Sequence, residues 1–320
     1  MSRVRASSEA SGRTASSGRT PSKRMALSQN FLHSRQLVQS LVGRAGIGPN
    51  DLVIEIGPGK GIITTALAEV AGHVLAIEKD PVHAAVIQRR LAADRRPNVT
   101  VFAADFLDFP LPETPYCVFA NIPFAITAAI VGKLTTGTAP PRSAHLVVQR
   151  EAAERFMGTP TGTLQAATLA PWFALSVVHR FQRHDFAPQP QVESVLLRIE
   201  RRGTPLLPAA DRPRYEAMVA TLFSAWKPSV EAALASIVGQ QEAKALRRPL
   251  GAQGISLANR PSRFPLEGWI ALYRELGKIP NAPWWPQFEG AAARLQQRQQ
   301  ELEKRTRAVV PQRPSPPPRR

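Results

Sequence analysis

The chain has 320 residues, 43% hydrophobic and 20% charged, which is enough apolar material for a folded core of about two domains. Its single cysteine, Cys117, excludes a fold held by intrachain disulfides, and no apolar run of about 18 residues predicts a transmembrane helix. The 41 Lys and Arg residues outnumber the 24 Asp and Glu residues. The resulting formal charge of +17 favours a polyanionic partner, first nucleic acid and second an anionic membrane surface.

Both ends of the chain are basic and poor in apolar residues. We expect residues 1–24, rich in Ser, Arg and Thr, to form a disordered basic arm. Three interpretations remain open for it: a solvated tail, an arm that follows phosphates, and an organellar transit peptide. The last is the weakest because few apolar residues could form an amphipathic face. Residues 281–320 end in a Pro- and Arg-rich stretch and are expected to form a basic tail.

Between the ends, the hydrophobic pattern alternates between the helical period and the strand period. It predicts a first helix over residues 31–45, with strands at 52–56, 73–77, 99–103, 116–120 and 145–149. Further helices are predicted over residues 61–71, 81–93, 125–134 and from 150, and a late strand pair at 172–181 and 195–199. Such alternation predicts an α/β fold with a mostly parallel sheet.

The pattern changes after a proline-marked linker at residues 204–208. Helices are predicted over residues 213–223, 229–238, 242–246 and 265–276. We therefore expect two domains, an α/β domain over residues 25–203 and a small all-helical domain over residues 204–280.

Glycines and polar side chains stand at the carboxyl ends of four predicted strands. Residues 57–61 read Gly-Pro-Gly-Lys-Gly, Glu78 closes the second strand, Asp105 follows the third and Asn121 closes the fourth. Ligands of open α/β sheets bind at these ends, and an acid at Glu78 suits the two hydroxyls of a ribose. Helix-capping acids would explain one or two of these positions, but not the set. The pattern predicts a nucleoside cofactor, and the missing third glycine disfavours a dehydrogenase.

The tetrad Asn121-Ile122-Pro123-Phe124 follows the fourth strand. A polar side chain, a turn with a free carbonyl and an aromatic ring suit an exocyclic amine on a planar base. The two acceptors can hold the hydrogens of the amine while the ring stacks on the base. Taken alone, Phe124 could equally be a core residue at the top of the sheet.

Four separated motifs together resemble the rRNA adenine N6-methyltransferases, the superfamily of the Erm macrolide-resistance enzymes and the small-subunit dimethyladenosine transferases. The motifs are residues 28–32 (S-Q-N-F-L), 55–59 (E-I-G-P-G), 121–124 (N-I-P-F) and 186–194 (F-A-P-Q-P-Q-V-E-S). The resemblance runs from about residue 29 to about residue 278. It implies a Rossmann-like methyltransferase domain with S-adenosylmethionine (SAM) as methyl donor.

The resemblance also implies the residues of the site. The cofactor-binding set is Asn30, Leu32, Gly57, Gly59, Glu78, Lys79, Asp105, Phe106 and Asn121. The catalytic set, which would hold the target adenine, is Asn121, Ile122, Pro123, Phe124 and Phe186. Within these sets, Glu78 would bind the ribose hydroxyls and Asp105 the adenine amine of the cofactor. Phe124 and Phe186 would stack on the flipped target base.

The N-I-P-F form of the tetrad and the basic ends look like Erm enzymes of high-GC actinobacteria. This likeness implies methylation of one adenine in the peptidyl-transferase region of 23S rRNA. The outcome would be resistance to macrolide, lincosamide and streptogramin B drugs. We expect a monomer in the bacterial cytoplasm with no membrane partner, and no metal because the six histidines lack metal-ligand spacing. The alternatives are a 16S rRNA dimethyladenosine transferase and a non-catalytic RNA-binding relative.

Two features depart from the family pattern. Ser28 stands where glycine is common, and residues 222–234 lack the basic residues that the family often places there. The second departure leaves more of the RNA contact to Arg247, Arg248 and the two ends of the chain.

Overall fold

The structure is a computed structural model that describes residues 30–137, 139–279, 282, 284–290, 294 and 297. The expectations for residues 1–24, for Ser28 and for most of residues 281–320 lie outside the described residues.

Residues 30–279, apart from residue 138, contain nine strands, eleven α-helices and four short 3-10 helices. The strands are β1 (Phe31–Leu32), β2 (Leu52–Ile56), β3 (His73–Glu78), β4 (Val99–Ala103), β5 (Tyr116–Asn121), β6 (Ser143–Gln149), β7 (Phe173–Arg180), β8 (Phe186–Ala187) and β9 (Ser194–Arg201). The helices are α1 (Arg35–Gly43), α2 (Ile62–Val70), α3 (Pro81–Ala93), α4 (Thr127–Thr136), α5 (Arg150–Met157), α6 (Leu164–Leu169), α7 (Arg212–Ser224), α8 (Val230–Val238), α9 (Gln240–Ala245), α10 (Arg247–Gly251) and α11 (Leu266–Gly277).

Seven strands form one sheet in the order β4-β3-β2-β5-β6-β9-β7. The five strands from β4 to β6 are parallel, and β9 runs antiparallel to both of its neighbours. The predicted α/β fold with a mostly parallel sheet and a helical C-terminal region is confirmed. Along the chain, strands are added on one side of β2 as far as β4, and then on its other side from β5 onward.

Local sequence signals explain where the helices around the site begin. Asp80 caps α3, because its carboxylate accepts hydrogen bonds from the N–H groups of Val82 and His83, and Pro81 occupies the first turn. Gly61 precedes α2 with φ of +76°, a left-handed conformation that suits glycine. These two helices begin shortly after the ends of β3 and β2, next to Glu78 and to the glycine-rich turn.

The first predicted helix begins later than expected. Residues 31–45 were expected to be helical, but α1 starts at Arg35 and is capped by the Ser34 side chain, which accepts from Leu37 N at 3.2 Å. Phe31 and Leu32 instead form β1, which pairs antiparallel with β8. Two-residue strands paired over 150 residues of sequence leave no local periodic signal. Helices α6 and α10 were also missed.

The C-terminal helices share a core with the sheet. One cluster of buried side chains includes Ile199 of β9, Tyr215 of α7 and Trp269 of α11. The Tyr215 hydroxyl also donates to the carbonyl of Ala167 in α6 at 2.9 Å. Within the described residues, none of the helices combines the length and the apolar character that crossing a membrane requires.

Candidate active site

A cleft lies where the order of strands reverses, between the carboxyl ends of β2 and β5. This switch point is where open α/β sheets bind their ligands. Predicted site residues that line the cleft are Asn30, Leu32, Gly57, Asn121, Ile122, Pro123 and Phe124. Residues that line it without having been assigned to the site from the sequence are Phe31, Pro58, Lys60, Ile62 and Ile63.

The glycine-rich turn after β2 forms one wall of the cleft. Gly57, Gly59 and Gly61 have φ of +67°, +53° and +76°, conformations that side chains rarely adopt. A Cβ atom on Gly59 would stand 2.6 Å from the Phe31 ring, so this glycine also makes room for that ring. The Lys60 ammonium lies 5.3 Å from the centre of the same ring. The turn therefore fixes Phe31 at the cleft.

Two carboxylates lie next to this turn on adjacent strands. The Gly57 N–H donates to Ile77 O at 2.9 Å, which brings Glu78 beside the turn. Glu78 is 7% exposed, and its Oε1 accepts from Asp80 N at 3.0 Å. Glu55 is fully buried, and its Oε2 has no hydrogen-bond partner among the described residues. Burial, together with the nearby Glu78, raises the pKa of Glu55 to about 8, although Thr64 acts in the opposite sense.

The loop after β4 is held by its own polar contacts. Asp105 accepts from Leu107 N at 2.9 Å and from Lys79 Nζ at 2.7 Å. Lys133 of α4 donates to Leu107 O at 2.8 Å and lies 5.2 Å from the ring centre of the buried Phe106. These contacts place the Asp105 carboxylate and the Phe106 ring on a fixed loop near the ends of β3 and β4.

The orientation of the Asn121 amide is set by the backbone of Asn30. Asn121 Nδ2 lies 2.7 Å from Asn30 O, and only the amide nitrogen can donate to a carbonyl. The Oδ1 atom of Asn121 therefore remains as an acceptor at the cleft. Pro123 and Phe124 continue the lining, and Phe124 is half-buried. The tetrad and the segment around Asn30, which are 91 residues apart, form one unit.

Phe186 is placed differently from its predicted partners. It is 2% exposed, packs against Phe181 with the ring centres 5.2 Å apart, and is not among the residues that line the cleft. Its backbone pairs with Leu32, which does line the cleft. In this structure the Phe186 ring is a core residue that supports β1, and its stacking role stays a prediction.

Sequence reasoning missed Phe31 and Lys60 although both stand in motifs that it quoted. Phe31 was assigned to a helix because residues 31–45 have a helical apolar pattern, and Lys60 was treated as part of the glycine turn. The contact of Phe31 with Gly59 would have been the useful signal, since glycine is needed there to admit the ring. Within the described ranges, no group of three or more His, Cys, Asp or Glu residues could hold a metal ion.

The sheet order and the cleft at its switch point define a Rossmann-like α/β fold. Residues 20–263 match the family model of ribosomal RNA adenine dimethylases, and the chain belongs to that family. The resemblance seen in the sequence is confirmed, as is the assignment of the chain as a methyltransferase enzyme.

Named relatives and solved structures agree with this family. The rRNA adenine N-6-methyltransferase of Corynebacterium diphtheriae is 37% identical over 199 residues, which are 62% of this chain and 76% of the relative. That of Streptomyces fradiae is 32% identical over 274 residues, 81% of each chain. The crystal structure of the 23S rRNA methyltransferase ErmE is 30% identical with a TM-score of 0.70. The match covers 78% of this chain and 100% of the ErmE chain.

Proposed function

We propose that the protein transfers a methyl group from SAM to N6 of one adenine in the peptidyl-transferase region of 23S rRNA. This methylation would protect the ribosome from macrolide, lincosamide and streptogramin B drugs. The observation that carries the proposal is the Asn121 amide, which the Asn30 carbonyl holds with its oxygen free to accept at the cleft. The similarity to ErmE along the whole of that chain supports 23S rRNA as the target. The protein would act as a monomer in the bacterial cytoplasm.

The residues around the cleft fit SAM. A Cβ atom on Gly57 would meet open space, and beside it stand the shielded Glu78 carboxylate and the unpartnered Glu55 Oε2. The Glu78 carboxylate can accept hydrogen bonds from ribose hydroxyls and favours a positively charged ligand, while Glu55, whose pKa is raised by burial to about 8, keeps its proton near neutral pH. The residues that would hold the cofactor are Asn30, Leu32, Gly57, Gly59, Glu78, Lys79, Asp105, Phe106 and Asn121. When bound, SAM supplies a methyl group on a positively charged sulfur.

The tetrad provides what an adenine amine needs in order to react. The lone pair of N6 is delocalised into the ring, which makes the amine a poor nucleophile. The Oδ1 atom of Asn121 and the Ile122 carbonyl would accept the two N6 hydrogens and favour a more tetrahedral nitrogen. In this scheme the chain contributes mainly positioning, and the proton that N6 loses passes to water.

The half-buried Phe124 suits the flipped state of the target base. An adenine taken out of its stack loses stacking energy, at a cost of a few kcal/mol, and an aromatic ring at the cleft offsets part of it. Phe124 lines the cleft next to Asn121, so the same base can stack on the ring and be held through its amine.

The test is to express the chain in a drug-sensitive bacterium and to map both large rRNAs by primer extension and mass spectrometry. We expect one modified adenine in the peptidyl-transferase loop together with erythromycin resistance. Asn121→Ala, produced at the same level, should give neither. Adjacent modified adenines near the 3′ end of 16S rRNA, in a strain that lacks its own enzyme, would instead identify a dimethyladenosine transferase. Absence of modification by mass spectrometry, together with binding of the purified protein to rRNA, would identify a non-catalytic RNA-binding relative.

A further inference from the structure

Trp226, in the turn between α7 and α8, is 97% exposed. The chain has five tryptophans, and the other four, Trp172, Trp269, Trp284 and Trp285, are each at most 8% exposed. Trp226 also has φ of +51°, a backbone conformation that is an outlier for a bulky residue. Backbone outliers of this kind cluster at functional sites, and an indole that is almost fully exposed is accessible to a binding partner.

The turn is firmly anchored on both sides of Trp226. One helical turn earlier, Phe223 stacks on the buried Trp269 with ring centres 5.8 Å apart. Three residues later, Ser229 caps α8 by accepting from Ala232 N at 3.1 Å. The indole is therefore displayed on a fixed part of the surface.

Three cations lie in this turn and in the segment that pairs with the start of α8. Val230 N donates to Asn259 O at 2.8 Å, so the segment that contains Arg260 and Arg263 runs alongside the start of α8. Lys227, Arg260 and Arg263 are all exposed, and none of them forms an ion pair with any residue that the structure describes.

The two arginines that the sequence favoured for RNA contact, Arg247 and Arg248, lie in α10. Arg247 pairs with Glu231 at 2.7 Å, so its charge is already compensated. The exposed cations of this region that form no ion pair with a described residue include Lys227, Arg248, Arg260 and Arg263.

We propose that Trp226 stacks on an unpaired base of the RNA substrate while Lys227, Arg260 and Arg263 contact the neighbouring phosphates. A flat aromatic ring next to unpaired cations has the chemistry of single-stranded nucleic acid binding, because every base has a face for stacking and every nucleotide carries a phosphate. Lys227 is the one basic residue within residues 222–234, and Arg260 and Arg263 add cations from the neighbouring segment. The inference rests on the proposed function in that it takes RNA as the substrate.

The test uses the fluorescence of the full chain with an rRNA fragment that contains the peptidyl-transferase loop. Because the other four tryptophans are buried, quenching by acrylamide reports mainly on Trp226. RNA should protect it from acrylamide. Trp226→Ala should lower RNA affinity about five- to hundredfold without changing its dependence on salt. Trp226→Phe should restore most of the affinity. Arg260→Gln should reduce the slope of log affinity against log salt by about one.

Controls separate this inference from fold defects and from the proposed function. Lys278→Ala removes an exposed lysine of the same helical region that pairs with Glu275, and RNA affinity should not change by more than about twofold. SAM affinity and the thermal midpoint should be unchanged in every variant. The two readouts are independent. RNA can protect Trp226 from acrylamide when no 23S rRNA is methylated, and 23S rRNA can be methylated when RNA gives Trp226 no protection.

Three results would overturn the inference: no protection of Trp226 by RNA, unchanged RNA affinity in Trp226→Ala, or a dimer of the free protein that this substitution converts to monomers. The last result would assign the surface to a second copy of the chain.

Discussion

Glu78 and Glu55 stand on adjacent strands, but only Glu78 has an oxygen placed for a ligand without a large cost of burial. We predict that Glu78→Gln weakens SAM binding about ten- to hundredfold, because it removes a charged acceptor for two hydroxyls. The amide can still accept from Asp80 N, so the turn is preserved. Isothermal titration calorimetry would measure the change. Glu69→Gln, which breaks a surface pair with Arg96, is the control and should leave SAM affinity unchanged.

Glu55 makes stability depend on pH in a definite direction. The ordinary pKa of a glutamate carboxyl is 4.5, and burial raises the pKa of Glu55 to about 8, so between these values the folded protein keeps a proton that the unfolded chain releases. Rising pH therefore favours unfolding across this window. Glu55→Gln removes this titrating group, so its gain in the free energy of unfolding over the wild type should grow as the pH rises from 4.5 to 8. Urea denaturation of both cofactor-free proteins at pH 5 and pH 8 measures this gain. An equal gain at both pH values would contradict the raised pKa of Glu55.

Phe124 and Phe186 can be distinguished by their burial. Phe124→Leu should reduce RNA methylation about tenfold or more, with SAM affinity and the thermal midpoint unchanged, because the ring lines the cleft. Phe186→Ala should cost about 3–5 kcal/mol of stability, since it empties a core position. Steady-state methylation and thermal denaturation of both variants decide the point. Should Phe186→Leu lose methylation at unchanged stability, the stacking role predicted from the sequence would be supported.

At the scale of elements, α4 holds the loop after β4 through Lys133. We predict that Lys133→Met weakens SAM binding about three- to tenfold, because two backbone carbonyls, of Leu107 and Phe109, lose their charged donor and the loop loosens. Burial already lowers the pKa of Lys133, although Asp108 and Asp105 oppose this. Calorimetry with SAM measures the effect, and Lys278→Met is the matched control. Equal affinities for both variants would show that the loop holds its shape without this contact.

The elements also show what a sequence can predict. The strands over residues 52–56 and 99–103 and the helix over residues 81–93 have the predicted bounds, because apolar periodicity and the Asp80–Pro81 start are local signals. The pairing of β1 with β8 joins segments that are distant in the sequence. The local pattern therefore predicts a helix at Phe31, whereas the structure has this residue in a strand at the cleft. Asn121 could be placed at the site from its motif, but the hydrogen bond that orients its amide joins segments 91 residues apart and required the structure.

At the scale of the whole molecule, the predicted boundary between residues 203 and 204 does not coincide with a break in the core. Tyr215 of α7 contacts the Trp172 ring edge-on at 5.6 Å and Tyr273 of α11 at the same distance. We predict a single cooperative thermal transition, with equal calorimetric and van't Hoff enthalpies, because neither part can unfold without exposing this aromatic cluster. Differential scanning calorimetry would reveal two separate transitions if the parts were independent.

The pairing of β1 with β8 has a consequence for the 29 residues that precede Asn30. Because Asn30 lines the cleft, the point at which this segment joins the described part of the chain is at the cleft. Even fully extended, the segment spans at most about 100 Å. In the proposed function, a phosphate bound by its five arginines or its lysine would stay within that distance of Asn121. Such binding would raise the effective concentration of RNA at the cleft without any contribution from the recognition of the target adenine itself.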